Sequence, residues 1–207
     1  MTHANSERKH IVFFIPALNT GGAEKNTVLL ANHFAGQGIR VEVLLIKKQG
    51  AFLDLVDPSV TVKELGGKGT LRSIMPLISY IRSARPDWLV ANLPGPSVVA
   101  LMARILARLN VKIALVQHHP FSHKADESRT LRGKIRSGLA RILFQKAERV
   151  IAVSDGVAQD LRKATQVLSE KIHIIPNPFD TKKILSQASG PPQHPWLKNK
   201  TDPVMIS

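Results

Sequence analysis

A chain of 207 residues that is 43% hydrophobic can build one sizeable core, and no apolar run approaches the roughly 20 residues of a membrane-spanning helix. The polar start MTHANSERKH lacks the apolar centre of a secretory signal, and the absence of cysteine excludes disulfides, thiolate metal sites and a thiol nucleophile; the chain reads as cytoplasmic. Lys and Arg number 29 against 15 Asp and Glu, a formal charge of +14 that implies an anionic partner or a generally basic surface. Aromatic residues make up only 5% and do not alternate with the basic ones; with no zinc-finger spacing or RNA-recognition signature, this argues against nucleic acid.

In chain order, the apolar run IVFFI predicts a buried strand at 11–15, and a turn ending in Gly21-Gly22 leads to a helix over 23–34. A strand, a glycine turn and a helix N-terminus leave backbone N–H groups aimed outward, which suits a phosphate or another anion. Glycines kept only for a tight βα turn explain the segment equally well, and the segment alone does not choose. Further strands are predicted at 41–46, 60–65, 88–92, 112–117, 149–154 and 171–175, most of them near-continuous Val/Ile/Leu runs. Helices are predicted at 71–84, 97–109, 131–147 and 156–164. Regular alternation of strand and helix implies a mainly parallel sheet covered on both faces. After Asp180 comes a helix-capable stretch, TKKILSQAS, and then the Pro-rich GPPQHPWLKNK. The expected organisation is a domain over 1–185, a linker over 186–200, and the start of a further unit over 201–207.

The opening loop has neither G-x-G-x-x-G nor the Walker pattern G-x-x-x-x-G-K-[ST]. A dinucleotide site also wants a carboxylate after the second strand, and here that strand runs into Lys47-Lys48. Three segments point elsewhere: PALNTGGAEK, RVIAVSDGVAQDL and KIHIIPNPFD. Together they resemble the N-terminal domain of GT-B-fold retaining glycosyltransferases of the family 4 group, over roughly Ile11 to Asp180. The resemblance implies a Rossmann-like α/β/α sandwich, the N-terminal half of a GT-B fold, with the C-terminal, donor-gripping domain absent from this sequence.

It also implies roles. Gly21 and Gly22 would let backbone N–H groups approach a sugar diphosphate, while Glu24 would favour the helix dipole. His118, in LVQHHPF at the end of a parallel strand, is the catalytic candidate, since imidazole can bind sugar hydroxyls and exchange a proton near neutral pH. His119 and Ser154 are candidate substrate or donor-phosphate ligands, although leaving a strand for a loop explains His119, and helix capping explains Ser154 and Asp155. His33 and His123 are expected at the surface. Asn177 and Asp180, in the I-P-N-x-x-D segment, shape a turn. No metal and no cofactor is expected.

From Leu131 to Ala147 the apolar residues Leu131, Ile135, Leu139, Ile142 and Leu143 recur at helical spacing. Across 124–149 eight Lys/Arg face three acids, a net +5. Such a helix suits an anionic membrane surface, or equally a core-packed helix with a basic solvated face; Lys146 lies on the apolar arc. The expected partners are a nucleotide-sugar donor, weakly held without a second domain, a glycan or lipid-linked acceptor, and the inner face of a membrane. A separate C-terminal-domain subunit is a further candidate. Little or no transfer by these residues alone is expected; a non-catalytic docking module or a truncated, non-functional fragment is the alternative.

Overall fold

The structure, a computed structural model, describes residues 9–66, 69–122 and 138–190. The chain divides into two compact units, Met1–Asn177 and Pro178–Ser207. Of the second, the described part holds one helix, α5 (Thr181–Ala188), where the helix-capable stretch was expected. The linker expected over 186–200 is described only to 190, with 186–188 inside this helix; the further unit expected over 201–207 lies outside the described residues, as do His123 and 131–137.

The first unit is built on seven strands: β1 (His10–Ile15), β2 (Arg40–Leu45), β3 (Thr61–Glu64), β4 (Trp88–Asn92), β5 (Lys112–Gln117), β6 (Arg149–Ala152) and β7 (Ile172–Ile174). They form one sheet in the order β3-β2-β1-β4-β5-β6-β7, and every pairing is parallel. Between them run α1 (Gly22–Gly36), α2 (Ile74–Ala84), α3 (Pro94–Ala107), a helical stretch at 138–143, and α4 (Asp155–Ala164). All seven predicted strands are present within two residues at each end.

A right-handed crossover from β1 to β2 moves one way along the sheet, and those from β3 onward move the other. The helices therefore fall on opposite faces. Phe13, Ile15, Val43 and Leu45 pack against Ala23, Val28 and Ala31 of α1. Val12, Phe14, Leu89, Ile113 and Leu115 pack against Leu77 and Ile81 of α2, Val98 and Leu101 of α3, Phe144, and Val157 and Leu161 of α4. Phe13, Phe14, Leu101 and Leu115 are fully buried, and each such side chain stabilises the fold by about 1.5–3 kcal/mol. This is the parallel sheet covered on both faces expected from the alternation, and the Rossmann-like α/β/α sandwich that the resemblance implies.

Two boundaries differ from expectation for identifiable reasons. Helix α3 begins at Pro94 instead of Ser97, because prolines in the first turn lack N–H groups that would have no helical acceptor there anyway. The basic segment breaks into a 3-10 turn at Phe144–Lys146 before β6. In its described part Ala140, Phe144 and Ala147 are buried and Leu139 and Leu143 pack on the core, while Arg141, Ile142 and Lys146 face solvent.

Candidate functional site

Because the strands are parallel, the loops after β1, β2, β4, β5 and β6 all emerge at one edge of the sheet. The strands β1 and β4 are neighbours, yet α1 and α3 cover opposite faces, so a crevice opens between their carboxyl ends. In open α/β sheets ligands bind at such a switch point.

The first lip is the loop from Pro16 to Gly21. It is held by the loop after β2: the Leu18 N–H donates to Gln49 O at 2.9 Å, and the Phe52 N–H donates to Leu18 O at 3.0 Å. The Lys47 N–H likewise donates to Pro16 O at 3.0 Å. Gly50 makes this closeness attainable: it has φ +124°, and a Cβ there would lie 2.0 Å from Leu18 O. Neither Gly21 nor Gly22 has a positive φ. A Cβ on Gly21 would sit 2.2 Å from Glu24 Oε2, so the carboxylate of Glu24 folds back over the start of α1. A Cβ on Gly22 would meet open space. The fold thus has a packing use for the first glycine and none for the second.

The second lip joins β4 to β5. Asn92, the last residue of β4, is 4% exposed, and its Oδ1 lies 3.4 Å from Nε2 of the half-buried His118. Its Nδ2 is buried without a hydrogen-bond partner among the described residues. The next residue, Leu93, caps α3 at φ +73° and ψ 153°, a region that L side chains rarely occupy. Beneath lies a buried polar ladder in which Gln117 Nε2 donates to Ser97 Oγ at 3.3 Å, and Ser97 Oγ donates to Leu93 O at 2.8 Å. Beside these, His119 is exposed, and Ser154 caps α4, its Oγ accepting the Val157 N–H at 3.3 Å.

Gly21, Gly22, His118, His119 and Ser154 therefore lie on one sheet edge, at the carboxyl ends of β1, β5 and β6. His33, by contrast, is exposed on α1 and hydrogen-bonds Gln37, as a surface residue does. Asn92 and Gly50 were not singled out from the sequence. An asparagine ending the apolar run WLVAN just before Leu-Pro-Gly-Pro was a usable signal; Gly50, in a polar loop, carried none. Among the described residues no group of three or more His, Asp or Glu side chains is placed to hold a metal ion, and no helix is long and apolar enough to cross a membrane.

The seven-stranded parallel sheet with helices on both faces is the fold of the N-terminal domain of a GT-B glycosyltransferase. The chain belongs to Glycosyltransferase Family 4, whose sequence profile matches residues 20–183. No curated protein sequence matches it. Among solved structures it is similar to sucrose-phosphate synthase from Thermosynechococcus elongatus, at TM-score 0.67 and 14% identity, covering 84% of this chain and 49% of that one. It is also similar to HepE from Anabaena in complex with UDP-glucose, at TM-score 0.65 and 21% identity, covering 86% and 49%. A third similar structure is the apo lipopolysaccharide outer core galactosyltransferase WaaB, at TM-score 0.62 and 15% identity, covering 82% and 46%. The chain spans about half the length of these structures.

Proposed function

We propose that this chain is the acceptor-side domain of a retaining glycosyltransferase that moves a sugar from a nucleotide-sugar donor to a glycan or lipid-linked acceptor in cell-envelope biosynthesis. In this reading His118 faces the reacting sugar. The N–H groups at Gly21 and Gly22 face the donor phosphates, with His119 and Ser154 on the rim. Lys47 and Lys48, exposed after β2, add positive charge beside the same loop. A leaving diphosphate would be stabilised by such fixed donors and cations, which oppose the charge that develops as the glycosidic bond breaks. Galactosyl transfer by WaaB and UDP-glucose binding by HepE, two structures of the same fold, support the donor class.

The observation that carries the reading is Gly22. It is exposed at the first position of α1, adopts ordinary helical geometry and, among the described residues, has nothing within 4 Å of where a Cβ would stand. A glycine there costs helix stability, roughly 0.5–1 kcal/mol against alanine, and leaves room for a ligand to reach the backbone. Gly22→Ala is therefore expected to leave the melting temperature unchanged or slightly raised while weakening UDP-sugar binding several-fold, as read by titration calorimetry. If the variant binds UDP-sugar as the parent does, the phosphate-facing loop is overturned. The 207 residues alone are expected to give little or no transfer from nucleotide sugars to lipid-linked acceptors, since a single domain supplies one wall of the cleft. Robust turnover by them would refute that.

We also propose that the exposed strip Arg141, Ile142 and Lys146 contacts an anionic membrane surface, bringing the cleft to lipid-linked acceptors. A second reading is a non-catalytic module that docks a separate donor-binding subunit. Co-purification with a donor-binding subunit, with no transfer until the two are mixed, is its signature.

A further inference from the structure

The turn that carries His118 and His119 is held from behind by a residue of another helix. Asp160 lies in α4, which follows β6, while the turn follows β5. One carboxylate oxygen of Asp160, Oδ2, accepts the backbone N–H of Phe121 in a short hydrogen bond and that of Ser122 at 3.1 Å. The other, Oδ1, accepts the Ser122 hydroxyl, also in a short bond. Residues 121 and 122 are helical, so the N–H groups that Asp160 takes up are those a helix start leaves without a backbone acceptor.

Three donors converging on one side chain suit a carboxylate, which is all acceptor and strengthens each bond with its charge. An asparagine could keep the two backbone N–H groups on its one oxygen, but without the charge and only with the Ser122 hydroxyl reversed to accept from its NH2. The turn is also pinned by its flanks. Phe121 is 4% exposed and packs edge-on against Phe144, ring centroids 5.7 Å apart. Gln117, 1% exposed, is held by Ser97 at the other end. Only His118, His119 and Pro120 span the gap, and proline fixes its own φ. On one side of this bridge the His118 ring meets Asn92.

We propose that Asp160 is a positioning residue for the site: its carboxylate sets the path of the 118–122 turn and so fixes the orientation of the His118 imidazole against Asn92. This rests on the reading that His118 faces the reacting sugar, but it makes a claim about the turn that stands or falls separately. A carboxylate placed only to stabilise α4 would act at the helix terminus, through its dipole. Asp160 sits beyond the first turn and spends its acceptors on another segment.

The test is Asp160→Asn in the full chain, followed by NMR of the histidine rings and by amide hydrogen exchange. Exchange at Phe121 and Ser122 is expected to quicken by about tenfold, the size of one net hydrogen bond lost, and the ring resonances of His118 and His119 to shift or broaden. Asp160→Glu, which keeps the charge, is expected to restore part of the parent spectrum. Asp155→Asn, on the same helix but in its first turn, is expected to leave the histidine signals in place. Unchanged ring signals and exchange in Asp160→Asn overturn the proposal, as does an equal shift in Asp155→Asn. Should Asp160→Asn fail to fold, Ser122→Ala removes one of the three donors and is expected to give a smaller shift of the same kind; no shift there overturns it. Titration with UDP-glucose separates the two claims. If Asp160→Asn disturbs His118 while His118→Ala binds UDP-glucose as the parent does, the clamp stands and the donor-facing role of His118 fails.

Discussion

Glu42 is 2% exposed in the interior of β2, and its neighbours keep it charged. Burial alone would push its carboxyl up. Hydrogen bonds from Lys63 at 2.7 Å, Tyr80 at 2.8 Å and Arg40 at 2.7 Å outweigh that and hold it at about 2, against an ordinary value of 4.5. His10, with Nε2 3.1 Å from Glu42 Oε1, is pushed below its ordinary 6.5 by burial and by the Arg40 cation, which together exceed the pull of Glu42. Both groups have folded values below their unfolded ones, so both give stability that is full above the unfolded value and is lost as pH falls. The His10 part begins to go below about pH 6.5, and the Glu42 part, about 3 kcal/mol, goes between about pH 4.5 and 2. Thermal melts should therefore fall from pH 7 to 5 in the parent and fall less in His10→Gln. Glu42→Gln should lower stability at pH 7 by about 1–3 kcal/mol, because it loses the charge-assisted bonds from Lys63, Tyr80 and Arg40 while the half-exposed cations stay solvated, and should flatten the limb below pH 4.5. A parent-like acid limb in Glu42→Gln would show that the cluster does not couple to folding. Sequence reading passed over Glu42, since one acid in VEVLLI does not spoil an apolar run. Apart from Arg40, two residues back on the same strand, its partners come from β1, β3 and α2, and only the fold assembles them. Asp160 was hidden for the same reason: it acts on residues 38 and 39 positions away.

At the scale of elements, periodicity was a sound guide where burial is two-sided. The strands 88–92 and 112–117 match their predicted limits residue for residue, because an apolar run bounded by turn residues leaves few choices. Helix starts were less legible, since Pro94-Gly95-Pro96 reads as punctuation yet forms a first turn. Least legible were contacts between loops. Gly50 belongs to a polar connection with no pattern of its own, yet it lets the loop after β2 close against Leu18, and Leu18 carries the chain toward Gly21-Gly22. An alanine there must adopt φ +124° and place its Cβ 2.0 Å from a backbone oxygen, which no side-chain rotation relieves. Gly50→Ala should cost at least about 2 kcal/mol in denaturant melts and displace the first lip of the crevice. Gly21→Ala meets only the movable end of Glu24 and should cost far less. Equal losses for the two would mean that the loop after β2 does not hold the opening loop.

For the molecule as a whole, the fold class and the edge that gathers the candidate residues followed from the order of strands and helices, while the use of its charge did not. The excess of +14 is a property of composition, and composition does not say which face bears it. In the basic segment, two of the three described apolar residues of the expected membrane-facing arc, Leu139 and Leu143, pack inward, and the third, Ile142, is exposed with Arg141 and Lys146. Contact with an anionic bilayer would then be electrostatic with one shallow apolar anchor, each base near the surface contributing about 1 kcal/mol. Such binding is screened, because the Debye length shrinks from about 8 Å at 0.15 M salt to about 3 Å at 1 M. Cosedimentation with vesicles containing phosphatidylglycerol should succeed at low salt, disappear at 1 M, and fail with neutral vesicles at any salt. Reversing both charges in Arg141→Glu/Lys146→Glu should weaken it at least about tenfold without changing UDP-sugar affinity, since neither residue is at the crevice. Binding that survives 1 M salt would point to apolar insertion instead of charge. Equally tight, steeply salt-dependent binding to duplex DNA would assign the positive surface to nucleic acid, and the membrane contact would fall.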